Sequence, residues 1–169
     1  MRIIESNKTY RHYGSDKYNR DIKVDLSYKK LTLSKPKKAA LWGTPIESDF
    51  GWKDWCERED FDLDSLKTYF DFKLRPGSKV LIIENEQDLD GLDEFIHHDE
   101  YANDIGHDDL ILMLFGYRKA AQVLLNWEKL VSIVDAVEIL YNDFTRYRFY
   151  GWDCDSICVL NPDAIEEVK

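Results

Sequence analysis

Cysteine is scarce in this 169-residue chain. The three present, Cys56, Cys154 and Cys158, are odd in number and supply no disulfide framework of the kind that staples small secreted domains. Cys154 and Cys158 lie four apart, but no second Cys/His pair completes a zinc site, so the expectation is buried thiols and no metal. Long hydrophobic runs are also missing. The longest, "LILMLF" at 110–115, is far too short to span a bilayer, and "MRIIESNKTY" lacks the apolar stretch of a secretory signal. Neither an internal repeat nor a low-complexity tract is present. The expectation is a soluble, cytoplasmic protein with no membrane partner, folded as a single domain over 1–169.

What the chain does hold is ordinary globular material, with 44% hydrophobic and 33% charged residues. Aromatic residues are abundant (Trp 5, Tyr 10, Phe 8), enough both to fill a core and to line a pocket for a flat ligand. The net charge of −10 is unevenly spread: residues 1–45 carry +7 and residues 46–169 carry −17. Such acidity argues against general nucleic-acid binding, which depends on neutralising phosphates. The basic N-terminal part can still attract a small phosphorylated ligand.

Along the chain, "KTYRHYGS" (8–15) reads as a short strand ending at a Gly-Ser turn, and "AALWGTP" (39–45) as another. A short helix through "FGWKDWCERE" would be capped by Ser48 or Asp49. In "YFDFKLRPGSKVLIIE" (69–84), apolar and polar residues alternate up to an Arg75-Pro76-Gly77-Ser78 turn, which predicts a β-hairpin or closely paired strands. Residues 84–109 hold 11 Asp/Glu and no Lys or Arg and read as an acidic insertion, a surface helix followed by a loop. "DLDG" within it invites a calcium reading, but the closing glutamate position falls on His97. The 108–134 stretch is mainly helical in pattern. "DAVEIL" (135–140) is a strand, "YNDFTRYRFYGW" an aromatic loop or short helix, "SICVL" the last strand, and "NPDAIEEV" a terminal turn or helix. Short strands with helices inserted among them predict an α+β fold.

Three pieces carry chemistry. In "TYRHYGS", His12 titrates near neutrality, Gly14 permits close backbone approach and Ser15 offers a hydroxyl. In "AALWGTP", Trp42 precedes Gly43 and Thr44, and a tryptophan beside a glycine turn can stack a heterocycle as well as fill a core. In "DCDSICVLNP", Asp153 and Asp155 lead into an apolar strand. A carboxylate there either solvates the strand start or, in a cleft, binds a ribose hydroxyl and stabilises positive charge growing on a sugar carbon.

Taken in order, these pieces resemble the ADP-ribosyltransferase fold, in its poly(ADP-ribose) polymerase and diphtheria-toxin branch. That branch has a first-strand His-Gly-Ser/Thr, a second-strand tyrosine motif and a late acid opening an aliphatic strand, as "DSICVLNPDAI" does. The likeness covers about a quarter of the residues. It departs from the pattern in three places: Tyr13 separates His12 from Gly14, Trp42 stands for tyrosine, and the acid is Asp155 rather than Glu, with Asp153 as its rival. In the arginine-specific toxin branch a first-strand Arg leads, a role open to Arg11, but the Ser-Thr-Ser strand of that branch is missing.

The resemblance implies a split pair of small, mostly antiparallel sheets around a cleft with flanking helices. It implies NAD as substrate, no metal, and a macromolecular acceptor such as a protein, or water. His12 would hold the adenosine ribose, and the backbone at Tyr13 and Gly14 would grip the nicotinamide amide. Trp42 would stack on the ring, and Asp155 would steady the oxocarbenium ion. Tyr147, Tyr150 and Trp152 either line the same region or simply pack. The competing expectation is a non-catalytic acidic protein that mimics nucleic acid and blocks a basic partner.

Overall fold

The computed structural model describes residues 1–27, 35–96, 123–149 and 151–168. Eight strands form one open, mostly antiparallel sheet: β1 Arg2–Glu5, β2 Tyr10–Tyr13, β3 Leu41–Pro45, β4 Tyr69–Leu74, β5 Lys79–Ile83, β6 Ala136–Ile139, β7 Ser156–Val159 and β8 Ile165–Glu167. Their order is β1-β5-β6-β7-β3-β2-β4-β8, and β5 with β6 is the parallel pair. The helices among the described residues are short: α1 Trp52–Glu59, α2 Trp127–Leu130 and α3 Asp143–Arg148. The α+β expectation holds. A single continuous sheet takes the place of the two separate ones expected.

The predicted hairpin is not one. The alternation in "YFDFKL" does make β4, and "KVLII" makes β5, but β4 pairs with β2 and β8 while β5 pairs with β1 and β6. The turn between them closes with Ser78 N–H donating to the Arg75 carbonyl, and the Arg75 N–H donates across to the Ala164 carbonyl. That short link constrains the whole sheet. β4 and β5 stand five positions apart in the order, about 24 Å in a flat sheet at ~4.8 Å per strand. The five Cα steps from Leu74 to Lys79 reach at most about 18 Å. A flat sheet is therefore excluded, and the sheet curls so that β4 and β5 share one apolar cluster.

The side chains fill that curl. Phe70, Phe72 and Leu74 of β4 pack with Val80 and Ile82 of β5, Ile157 and Val159 of β7, and Tyr10 of β2. The alternate residues Leu81, Ile83, Val137 and Ile139 face a second cluster under Trp127, Leu130, Phe149 and Trp152. With both faces covered, β5 and β6 read as unbroken apolar runs. The exception is the fully buried Glu138 of β6. It accepts from the Tyr10 hydroxyl at 2.8 Å and pairs with the Lys8 ammonium, so its charge is compensated inside the core.

Other elements differ locally from expectation. Gly51 is the N-cap of α1, with the Asp54 carboxylate accepting its N–H at 2.9 Å, while Ser48 binds Phe50 N–H instead. Residues 84–96 form two 3-10 turns, Glu86–Leu89 and Asp93–Phe95, rather than a helix, because Asp88 turns inward to accept from the Glu84 and Asn85 N–H groups. The rest of the acidic segment and most of the helical pattern at 108–134 lie outside the described residues. The segment "NPDAIEEV" supplies a 3-10 turn at Pro162–Ala164 and then β8, so β7 is not the last strand. No helix among the described residues is long and apolar enough to cross a membrane.

Candidate functional site

The ladder on either side of β3 changes hands partway along the strand. Leu41, Trp42 and Gly43 pair with Val159, Cys158 and Ile157 of β7, whereas Thr44 and Pro45 pair with Arg11 and Tyr10 of β2. Beyond Arg11, β2 leaves β3 and continues only with β4, His12 opposite Phe70 and Tyr13 opposite Tyr69. The sheet forks there. Gly43 sits at the branch because a Cβ on it would lie 2.6 Å from the Phe72 ring.

A cavity of about 380 Å³ occupies the fork, within the range of small-molecule sites. His12, Tyr13 and Gly14 line it from β2, Trp42 and Gly43 from β3, Trp52 from α1, and Trp152, Asp153 and Cys154 from the approach to β7. Trp42 meets Trp152 edge-on at 4.8 Å between ring centroids, and Trp152 is stacked on Trp127 behind it. Trp52, which also lines the cavity, stacks on Trp55 at 5.0 Å. Three tryptophans therefore contribute to its lining.

His12 bridges the fork. Its Nδ1 lies 2.8 Å from the Trp42 carbonyl oxygen, which only accepts, so Nδ1 carries the proton and Nε2 of the neutral ring holds the lone pair. Burial pushes the imidazole below its ordinary pKa, and the bond to Trp42 works against that shift without reversing it. At neutral pH the ring is an uncharged acceptor.

The two aspartates of "DCD" part company. Asp153 lines the cavity and has no hydrogen bond or ion pair with any described residue. Asp155 lies outside that cavity, at a separate recess of about 470 Å³ beside Ser48 and Asp49, and is tied into the fold. Its carboxylate accepts from Tyr141 N–H and from the Ser48 hydroxyl, both at 2.7 Å, and its carbonyl accepts from Thr44 at 2.8 Å. A bend at Cys154 and Asp155 separates them. The Cys154 thiol is pushed up to about 12, chiefly by burial, so it stays protonated and is no nucleophile.

The remaining sequence candidates are distributed unevenly. Arg11 reaches the cavity edge, but its guanidinium is bidentate on Asp71 at 2.7 and 2.9 Å and stacked on Tyr69. Gly14, at φ +96°, gives its N–H to the Ser65 and Thr68 carbonyls, so that amide is not open to a ligand. Ser15 and Thr44 lie off the cavity, and Tyr147 does not reach it. Tyr150 is outside the described residues.

Sequence reasoning missed Trp52, Lys35, Asp62, Ser65, Gly151 and Ser156. Trp52 had a signal, ten residues after Trp42 at the start of a predicted helix. Lys35 had only the basic balance of residues 1–45, which singles out no one lysine. Among the described residues no group of His, Cys, Asp and Glu is placed to hold a metal ion. Comparison with protein-family models, curated proteins and solved structures gives no match.

Proposed function

We propose that the protein is an NAD-dependent ADP-ribosyl transferase, or a glycohydrolase using the same cavity, with a divergent ADP-ribosyltransferase fold in which the forked sheet stands for the split pair. The observation that carries this reading is that His12, Trp42 and Asp153, which lie far apart in the chain, line one cavity. The reaction suits such a site. Nicotinamide leaves with the electron pair of its bond to ribose C1′, and a nucleophile, from an acceptor or water, adds to C1′ and gives up a proton. The protein has to orient the ribose and balance the charge that develops on C1′, with no strong base or metal required.

Each residue then has a role. Trp42 walls the pocket of the cationic ring. Neutral His12 accepts a ribose hydroxyl through Nε2. Asp153 takes the part the resemblance implied for Asp155, facing C1′ as it becomes positive. Asp155 fastens the start of β7 to Ser48 and Tyr141.

The test is nicotinamide release from labelled NAD by the full chain. Asp153→Asn should lower the rate by about 100-fold or more, while Asp155→Asn should lower stability and leave the rate of the folded fraction within a few-fold. Absence of turnover by the wild-type chain, with stoichiometric and salt-sensitive inhibition of a basic protein instead, would favour the acidic-mimic reading. An unchanged rate in Asp153→Asn would remove the role given to that carboxylate.

A further inference from the structure

Charged groups of both signs face the cavity without meeting. The carboxylates are Asp153 and Asp62. Lys35 supplies the opposite sign, its Nζ 5.8 Å from the centroid of the Trp42 ring. Its stem runs along the backbone of Gly151, where a Cβ would come within 2.8 Å of Lys35 Cε and 3.1 Å of Nζ. Gly151 also turns at φ +86°, so the backbone there is shaped for a residue without a side chain and leaves room for the lysine. Among the described residues Lys35 makes no ion pair, whereas the other cation lining the cavity, Arg11, is fully engaged with Asp71.

Opposite charges in one recess gain by pairing unless something between them is to be bound. Here the ammonium is steered onto an indole face and the Asp153 carboxylate is left open. A ligand complementary to both carries a positive ring or ribosyl carbon at one end and an anion at the other. We infer that Lys35 is the phosphate-binding group of this cavity and sets its preference for a nucleotide over a nucleoside. The inference rests on the NAD reading for the identity of the cationic end, but not for the anion.

Titration calorimetry of the full chain tests it with four ligands: nicotinamide riboside, nicotinamide mononucleotide, NAD and inorganic pyrophosphate. The expected result is that Lys35→Gln weakens mononucleotide and NAD about tenfold or more, as befits a lost charge-assisted hydrogen bond. The riboside should stay within twofold, and Lys35→Arg should restore most of the loss. Wild-type binding of NAD should also weaken with added salt more steeply than that of Lys35→Gln. Equal losses for riboside and mononucleotide, or no loss for either, overturn the assignment while leaving the NAD reading intact. Failure of the riboside and NAD to bind, with pyrophosphate still held through Lys35, overturns the NAD reading and leaves the anion site standing. Failure of all four ligands overturns both.

Discussion

His12 does two jobs with its two nitrogens. Nδ1–H ties β2 to the Trp42 carbonyl across the fork, and Nε2 is left as the acceptor of a ring that lines the cavity. Protonation keeps the first and removes the second. Because burial lowers its pKa, the unfolded chain takes up the proton at a higher pH, near 6.5, than the folded chain does. The contribution of His12 to stability is therefore flat above about 6.5 and declines as pH falls from there through the lower folded value. In urea melts at a series of pH values, the wild type should lose more of its midpoint over that window than His12→Asn, whose side-chain amide can still donate to Trp42. Equal slopes would mean that His12 is not the group responsible. Ligand binding should fade over the acid side of the same range in the wild type only. The choice between Asp153 and Asp155 belongs to this scale too. Two residues apart, they look equivalent in sequence, and only the bend at Cys154 sends one carboxylate into the cavity and the other to Ser48 and Tyr141.

Elements were more legible than their partners. Alternation and turn residues placed β2, β3, β4, β5, β6 and β7, since a strand with one or two buried faces writes its pattern locally. Which strand each would pair with was not written there. Pro76-Gly77 announced a reversal, but reversal and pairing are different properties, and β4 finds β2 and β8 because Phe70, Phe72 and Leu74 need the surface those strands complete. The helix α3 shows the same division. Its segment read as an aromatic loop or short helix, and Asn142 caps its start, Oδ1 accepting from Phe144 and Thr145 N–H. Its Nδ2 also donates to the Glu84 carbonyl at the end of β5, a link of 58 residues that no local pattern reveals. Asn142→Ala should thus cost about 1–2 kcal/mol, at the upper end for a lost cap, measured as a lower urea midpoint with unchanged slope. A cost of only a few tenths would mean that the bond to Glu84 adds nothing to the cap.

At the scale of the molecule, the sequence implied a fold class and an ordered set of site residues, and it missed the curl of the sheet. That curl follows from a link too short for a flat arrangement, a fact that needs the strand order to be known. The acidic balance of the C-terminal part is partly spent on structure. Glu138 is buried against Lys8 and Tyr10, and Asp88 is bound to backbone N–H groups and Arg2. Charge counted along the chain therefore overstates the charge displayed to a partner.

Strand order has one more consequence. A cut at the exposed Pro76–Gly77 turn divides β1–β4 from β5–β8, yet in the sheet the two sets alternate: β1, then β5-β6-β7, then β3-β2-β4, then β8. Each piece holds a block of three strands and lends its fourth strand to the outer edge of the other's block. After cleavage at a protease site inserted in that turn, both fragments should travel together in native gel filtration and separate in urea, and separation without denaturant would contradict the order of strands. The cavity is shared in the same way, His12, Trp42 and Trp52 coming from one piece and Trp152 and Asp153 from the other. Expressed apart, the two polypeptides would each be inert, and their reunion would make the molecule a complementation reporter that works only when its halves are brought into each other's company.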